Sequence, residues 1–351
     1  MRWCLPRRWP ASLDRRGCVK EFKPYWALRN GHLMTIAGAL WRRQFPRLPP
    51  SVSRLFDIEP GTRVRGDCHW QQDRHNQPTL VLLHGLEGSS ESAYMLGTAE
   101  KAYRAGFNVV RLNQRNCGGT ERLTETLYHS GRSADFRAIV VELIERDGLG
   151  TIVFAGFSMG GNLVLKMAGE WGDSAPAELR GIVAVAPCLD LAACSDALRE
   201  RRNFLFNRHF VKSLKRRMRD KAAIFPNVYA TNGLMAELER VRNVRQFDEV
   251  ITARFCGFAG ADDYYARSSA MHFLEAIRVP TLLLAAQDDP FVPFQIFQRA
   301  GISHNPSIQL VAPSHGGHCA FVSQQSGEER FWSEARIVEF AEQQVRRDRL
   351  C

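Results

Sequence analysis

The sequence lacks the features that mark membrane, secreted and repetitive proteins. No stretch reaches the roughly 18 uninterrupted apolar residues of a membrane-spanning helix, and the basic N-terminus has no apolar core long enough for a secretory signal. No internal repeat or low-complexity tract occurs either. We therefore predict a soluble, cytoplasmic protein whose residues 1–20 form a disordered leader, or a segment foreign to the native chain, ahead of one domain over residues 21–351.

Cysteine is present but forms no recognisable framework. The nine cysteines are odd in number, contain no Cys-x-x-Cys pair, and stand in a chain too long to need disulfide staples. Free thiols in a reducing compartment fit this pattern, and the sequence predicts no cofactor and no metal.

Negative charge is scarce relative to positive charge. The 47 Lys and Arg residues outnumber 37 Asp and Glu, giving a net charge of +10. Much of the excess lies in the first fifty residues and in Arg199–Lys221, and neither segment has an RNA-recognition or zinc-finger pattern. We predict a solvated basic surface and no nucleic-acid partner. A peripheral contact with anionic membranes is a hypothesis, with Arg201, Arg202, Arg216 and Arg217 as its basic groups. The sequence does not indicate an oligomeric state.

What the sequence does contain is a regular alternation of apolar runs and helical segments. Near-continuous apolar runs are typical of strands buried on both faces, and strand–helix alternation indicates a mostly parallel central sheet flanked by helices, the α/β class. The predicted strands are Thr79–His84, Phe107–Leu112, Thr151–Ala155, Gly181–Ala186, Thr281–Ala285 and Ser307–Val311. The predicted helices are Ser92–Ala105, Asp135–Arg146, Gly161–Trp171 and Glu328–Arg347. Arg54–Gln71, with turn residues at Pro60-Gly61 and Gly66-Asp67, is interpreted as an antiparallel pair leading into the sheet.

One long segment interrupts this alternation. Residues 188–277 contain no strong strand, and apolar residues recur there at helical spacing beneath Arg and Lys. An insertion between two core strands, on the side that carries the chemistry, is a candidate helical lid.

The segment Thr151–Ala168 contains the pattern Gly156-Phe157-Ser158-Met159-Gly160 between a strand and a helix. Such a sharp turn raises a serine hydroxyl to a helix N-terminus, and side chains at the flanking glycines would collide with the adjoining strand and helix. The Gly-x-Ser-x-Gly pattern alone is weak, but its strand–turn–helix setting makes it specific. We predict that Ser158 is a nucleophile.

A serine nucleophile needs a base and an acid that orients the base. Asp288 and Asp289 follow the strand that ends at Ala286; we favour Asp289, because the acid of such loops stands four residues before the closing proline, here Pro293. Asp288 would then cap or brace the loop, and the choice between the two stays open.

The base is expected after the last strand, where His315 and His318 compete. We favour His318, which follows Gly317 and precedes an apolar stretch. A His-x-x-His pair by itself lacks the third ligand of a zinc site. The oxyanion donors are expected to be the backbone N–H groups of Met159 and Leu86.

Together these residues resemble the α/β-hydrolase superfamily, in particular its YheT-like and ABHD-type branch. The matching segments are Arg29–Ile36, His84–Gly88, Gly156–Asn162, Asp263–Ser268, Ala286–Phe291 and His315–His318. The resemblance covers the chain from about Phe22 onward and implies an α/β-hydrolase fold with a helical lid insertion. It also implies hydrolysis of small-molecule acyl esters of short or medium chain through an acyl-enzyme. Acyl transfer to an alcohol and a silent binding protein on the same fold are the alternatives.

Overall fold

An eight-stranded sheet forms the centre of the protein in the computed structural model, which describes residues 19–229, 233–299 and 302–348. The strands are β1 (Val52–Glu59), β2 (Thr62–His69), β3 (Thr79–Leu83), β4 (Asn108–Leu112), β5 (Ile152–Phe157), β6 (Leu179–Val185), β7 (Thr281–Leu284) and β8 (Ile308–Val311). Their order in the sheet is β1-β2-β4-β3-β5-β6-β7-β8. The pairs β1–β2 and β2–β4 are antiparallel, and all the other pairs are parallel.

Helices cover both faces of this sheet. They are α1 (Gly31–Leu40), α2 (Ala93–Arg104), α3 (Ser133–Glu145), α4 (Met159–Trp171), α5 (Leu191–Arg199), α6 (Phe204–Ile224), α7 (Pro226–Tyr229), α8 (Leu234–Arg240), α9 (Val244–Phe247), α10 (Arg254–Cys256), α11 (Ala261–Ser268), α12 (Gln295–Arg299) and α13 (Trp332–Asp348). A π-helical segment, Asp248–Ala253, joins α9 to α10. In the part of the chain that the structure describes, no helix combines the length and the apolarity needed to cross a membrane.

The strands are buried on both faces because their side chains feed two separate cores. Leu80 and Leu82 of β3 pack with α2 and α13 on one face, whereas Val81 and Leu83 pack with α3 and α4 on the other. Side chains alternate between the faces of a strand, so a continuous apolar run serves both cores. The predicted α/β class and parallel sheet are confirmed.

The antiparallel pair also forms, but one predicted turn is wrong. The turn falls at Pro60-Gly61, whereas Gly66 and Asp67 lie inside β2. A Cβ placed on Gly66 would approach the Phe56 ring to 2.8 Å. This glycine therefore makes room for a neighbouring side chain and does not bend the chain.

Residues 1–18 of the predicted leader lie outside the described residues. The chain is already fixed to the fold at Lys20, whose carbonyl accepts a hydrogen bond from Trp332 Nε1 at 2.9 Å. The Lys20 ammonium also forms an ion pair with Glu329 at 3.0 Å.

Between β6 and β7, the described residues form only helical elements, namely α5 to α11, the π-helical segment and three short 3₁₀ turns. The apolar residues at helical spacing do not all share one helix: Leu198 belongs to α5 and Phe206 to α6, with the 3₁₀ turn Arg201–Asn203 between the two helices. The Asn203 side chain donates to the carbonyl oxygens of Ala197 and Pro290 at 2.8 and 2.7 Å, which ties the start of α6 to the loop after β7.

Candidate active site

Ser158 is the single residue between β5 and α4. Its backbone dihedrals, φ 54° and ψ −118°, are rare for a residue with a Cβ and are held in place by the surrounding structure. A Cβ on Gly156 would lie 2.3 Å from the Gly160 carbonyl oxygen, and a Cβ on Gly160 would lie 2.5 Å from the His84 carbonyl oxygen. Both flanking positions therefore require glycine, for the reason expected from the sequence.

Replacing Gly156 with Ala is expected to lower the free energy of unfolding by about 3 kcal/mol, because the new methyl group meets backbone atoms that cannot rotate away. Gly150→Ala is a matched control just before the same strand, where no atom lies within 4 Å of the added Cβ. Urea unfolding followed by circular dichroism measures both variants. Equal stability of the two would contradict the packing argument.

His318 lies between the nucleophile candidate and a carboxylate. Its Nε2 is 2.8 Å from Ser158 Oγ, and its Nδ1 is 2.8 Å from Asp289 Oδ2. Asp289 follows β7 and His318 follows β8, so both approach Ser158 from the carboxyl edge of the parallel sheet. The Phe291 ring packs against the imidazole with 4.7 Å between ring centroids. The three predicted residues are thus brought into one hydrogen-bonded chain.

Asp288 and His315 form a separate pair. Asp288 Oδ2 lies 3.3 Å from His315 Nδ1, and Asp288 Oδ1 accepts the Gly317 N–H at 2.9 Å. Asp288 therefore fastens the loop that carries His318, the bracing role expected for the second aspartate. His315 and His318 face different carboxylates.

Burial alone would lower the pKa of His318, but the hydrogen-bonded Asp289 carboxylate raises that pKa well above its ordinary value. Asp289 keeps its own position through Oδ1, which accepts the N–H groups of Phe291 and Val292 at 2.8 and 3.0 Å. An imidazole held between a fixed carboxylate and a hydroxyl can take up the hydroxyl proton and share its positive charge with the carboxylate.

Thr35 contacts His318, and the sequence did not reveal this contact. Its Oγ1 accepts the His318 N–H at 2.8 Å and donates to the Gly31 carbonyl at 2.6 Å. Gly31 in turn lies against Asp288, because a Cβ at Gly31 would be 1.9 Å from the Asp288 carbonyl oxygen. Helix α1 therefore holds both loops. The segment Arg29–Ile36 was singled out only by resemblance, and no local signal connects it to His318.

The predicted oxyanion donors, Met159 and Leu86, belong to elements that meet at Ser158, and both residues line the same cavity as Ser158. Met159 is the first residue of α4, so its N–H has no acceptor within the helix. Gly85 allows the other loop to approach, since a Cβ there would be 3.0 Å from Ser158 Cβ.

His84 braces the loop that contains Leu86. The His84 Nε2 accepts the Gln114 N–H at 3.0 Å, and burial lowers the pKa of His84 to about 4. A neutral, fully buried imidazole with fixed partners can hold this loop in position.

Glu87, the residue after Leu86, connects this loop to the insertion. It has φ 58°, and its Oε1 accepts from Arg217 Nε at 2.8 Å and from the Tyr128 hydroxyl at 2.6 Å. The Glu87 and Arg217 side chains are only 4% and 14% exposed. The interpretation of Arg217 as a lipid-facing arginine is therefore wrong: α6 turns this arginine inward, onto a buried carboxylate.

Arg217→Met is expected to lower the free energy of unfolding by about 3–5 kcal/mol, because Glu87 is left as a buried charge without a counter-ion. Without Arg217, the pKa of Glu87 rises, so the loss should be smaller at pH 5 than at pH 8. Urea unfolding at both pH values measures this.

Two further variants test whether the lost stability comes from the unpaired Glu87 charge. Glu87→Gln together with Arg217→Met should recover most of the lost stability, since the unpaired charge is gone. Arg219→Met is the matched control: it removes an arginine of the same helix whose partner, Glu239, is exposed, and should change stability by at most about 0.5 kcal/mol. An equal loss in Arg217→Met and Arg219→Met would refute the buried pair.

Ser158 and His318 open onto a cavity of about 990 Å³, its open mouth included. Its walls are predominantly apolar and come largely from the insertion, including Leu191 and Leu198 of α5 and Phe210, Leu214 and Met218 of α6. A predominantly apolar cavity with a few polar groups at one place in its wall is typical of sites that bind small organic molecules.

A polar corner in this cavity involves the segment Asp263–Ser268. Tyr265 donates to Asp248 Oδ2 at 2.7 Å, and burial raises the pKa of Asp248 to about 6. The adjacent Tyr264 hydroxyl accepts the Ser130 N–H at 2.9 Å. The two tyrosines thus fasten α11 to the cavity wall.

Cys188 is a second neighbour of the serine that the sequence did not reveal. Its Sγ lies 3.6 Å from Ser158 Oγ, and the residue follows β6 closely. It is one of six free cysteines among the described residues.

The fold and this geometry define a class of protein. The family model described as alpha/beta hydrolase fold matches residues 78–324, and the chain belongs to that family. The fold predicted from the sequence is confirmed.

Relatives place the chain more closely within the family. It is 33% identical over 323 residues to the esterase candidate YheT of Escherichia coli strain K12. The match covers 91% of this chain and 92% of YheT. It is 29% identical to the phospholipase ABHD3 of Mus musculus, over 71% of this chain but only 60% of that protein. The predicted YheT-like and ABHD-type branch is confirmed.

A solved structure agrees at the level of the fold. The esterase Pf2001 of Pyrococcus furiosus superposes with a TM-score of 0.56 at 16% identity, covering 87% of this chain and 96% of that one.

Proposed function

We propose that the protein is a serine esterase that cleaves carboxylic esters through an acyl-enzyme. The observation that carries this proposal is the chain of two 2.8 Å contacts from Ser158 through His318 to Asp289. A hydroxyl, an imidazole and a carboxylate in this order are the groups that activate a serine for acyl transfer.

In the proposed reaction, His318 Nε2 takes the Ser158 proton as Oγ attacks the ester carbonyl carbon. The N–H groups of Met159 and Leu86 receive the developing oxyanion. His318 then returns the proton to the alcohol oxygen, the carbon–oxygen bond breaks, and the alcohol leaves. Water, deprotonated by His318, then attacks the acyl carbon. The bond to Ser158 Oγ breaks, His318 returns the proton to Oγ, and the acid leaves, while Asp289 stabilises the imidazolium in both steps.

We propose uncharged acyl chains of short to medium length as the substrate group. The cavity beside Ser158 is walled by leucine, phenylalanine and methionine side chains from α5 and α6, which favour an apolar chain. We propose that the insertion at residues 188–277 is a lid that closes one side of the cavity that binds the acyl chain.

The free thiols of the described residues suit a reducing environment, and we propose the cytoplasm as the location.

A series of p-nitrophenyl esters from acetate to palmitate tests the proposed function. We expect kcat/KM to be highest for short or medium chains and to fall for palmitate, with a fluorophosphonate probe labelling Ser158 in parallel. Added ethanol separates hydrolysis from acyl transfer, because a transferase would yield ethyl esters in place of the free acid. Absence of both turnover and labelling would leave a binding protein on this fold.

A further inference from the structure

Large apolar side chains are exposed on α1 and on segments close to it. Six of the ten most exposed ones among the described residues lie on α1, on the segment before it, and at the start of α6. We call this surface the docking face. It consists of Trp26, Leu33, Ile36, Leu40, Phe204 and Leu205.

Helix α1 is apolar on both sides. Gly31, Met34 and Thr35 form its buried side, against the loops that carry Asp288 and His318. Leu33, Ile36 and Leu40 recur at helical spacing on the opposite side, where Leu40 is 74% exposed. A helix that packs through one side has no folding requirement for leucines on the other.

The start of α6 lies beside α1. His32 Nε2 is 2.9 Å from Asn203 Oδ1, and the His32 and Phe206 rings are 6.0 Å apart. Phe204 and Leu205, between these two contacts, are 59% and 71% exposed. The apolar surface therefore continues from α1 onto the insertion.

Trp26 extends the surface near the other end of α1. Its ring lies 6.0 Å from that of Tyr25, which packs edge-on against Trp41, the residue directly after α1. Trp26 itself is 73% exposed. Tryptophan is enriched where proteins meet the headgroup region of a bilayer.

Exposed arginines border this surface. Arg29 precedes α1, Arg42 follows it, and Arg201 precedes Phe204. Arg208 lies one turn after Phe204 on the same side of α6. Arg202 is also exposed, but it pairs with Glu200 at 2.6 Å.

We propose that the docking face binds peripherally to an anionic phospholipid surface, with its apolar side chains among the acyl chains and its arginines on the headgroups. Apolar residues ringed by cations suit this partner. A second copy of the chain fits less well, because a two-fold contact would place like-charged arginine rims together. Residues 1–18 carry five arginines against one aspartate, the same sign as the rim.

The docking face is close to the candidate active site. Phe206 of α6 packs against Phe291 with 4.7 Å between ring centroids, and Phe291 packs against His318. A bilayer at this face would lie against the helices that wall the cavity. Delivery of membrane esters rests on the proposed function, whereas the docking itself does not.

Vesicle co-sedimentation tests the proposal, with Ser158→Ala as the parent chain so that hydrolysis cannot alter the lipids. The parent is expected to bind vesicles of phosphatidylglycerol and phosphatidylcholine more tightly than phosphatidylcholine alone. A triple variant, Leu33→Ser, Leu40→Ser and Leu205→Ser, should bind at least about tenfold more weakly. The matched triple Val52→Ser, Leu55→Ser and Met235→Ser removes exposed apolar groups elsewhere and should bind like the parent.

A charge variant separates the contribution of the arginines to vesicle binding from that of the apolar side chains. Arg29→Gln, Arg201→Gln and Arg208→Gln together should weaken binding to the anionic vesicles by about fivefold per arginine, without affecting neutral vesicles. Melting temperatures establish that each variant is folded, and Leu205→Ser alone serves if the triple is not.

Three results would overturn the proposal. The parent could fail to bind anionic vesicles, the two apolar triples could lose binding equally, or the docking-face triple could turn a dimer into a monomer in sedimentation velocity. The last result would assign the face to a second copy. Because the parent lacks the serine hydroxyl, none of these outcomes bears on ester hydrolysis.

Discussion

Ser158→Ala is expected to lower kcat for p-nitrophenyl ester hydrolysis by about six orders of magnitude. Without Oγ no acyl-enzyme can form, and only substrate binding and the oxyanion donors remain to assist direct attack by water. The change removes the hydrogen bond to His318 Nε2 and the weak 3.6 Å contact with Cys188 Sγ, so the free energy of unfolding should change by no more than about 1.5 kcal/mol. Steady-state kinetics and urea unfolding give the two measurements.

Ser195→Ala is the matched control for that variant. Ser195 lines the same cavity, but its hydroxyl bonds to Tyr265 at 3.1 Å and is not hydrogen-bonded to His318. Its loss should reduce kcat/KM by less than about tenfold. Full activity in Ser158→Ala, or equal losses in the two variants, would remove Ser158 from the mechanism.

Asp289→Asn is expected to lower kcat by about four orders of magnitude. An amide at this position can donate to His318 Nδ1, which favours the wrong tautomer, and it cannot stabilise the imidazolium. The Asp289 carboxylate also raises the pKa of His318, so its loss lowers that pKa. The base must be unprotonated to act; activity therefore falls as pH drops through the His318 pKa, and in Asp289→Asn this fall should occur at lower pH.

Asp288→Asn discriminates between the two adjacent aspartates. Asn can still accept the Gly317 N–H through its oxygen, so a loss of less than about tenfold in kcat is expected, with the pH profile unmoved. Ester hydrolysis rates from pH 5 to pH 9 for Asp288→Asn and Asp289→Asn test which aspartate orients His318. A larger loss in Asp288→Asn would reverse the assignment.

Strands and motif geometry could be predicted from the sequence because both are local. Leu80, Val81, Leu82 and Leu83 are all apolar because each side chain enters one of two cores. The Ser158 turn is dictated by glycines two residues away on either side. The turn predicted at Gly66 was wrong for a related reason. A glycine that makes room for the Phe56 ring cannot be distinguished, from the sequence, from a glycine that permits a turn.

Contacts between distant segments could not be predicted in this way. Thr35 and His318 are 283 residues apart, and nothing in either segment specifies their hydrogen bond. The inward direction of Arg217 depends on how α6 docks onto Glu87, whereas the sequence gives only its place in a basic run. Asp288 and Asp289 are likewise indistinguishable until the fold places His315 beside one and His318 beside the other.

The insertion forms much of the cavity wall, whereas the candidate catalytic residues lie on other segments of the chain. Ser158, Asp289 and His318 lie on loops of the sheet, while α5 and α6 supply much of the apolar wall. Under the proposed function, mutations in the insertion would change which acyl chains fit without altering Ser158, Asp289 or His318. An insertion of different sequence would give the cavity a different wall, and Glu87–Arg217 is one of the contacts that it would have to preserve.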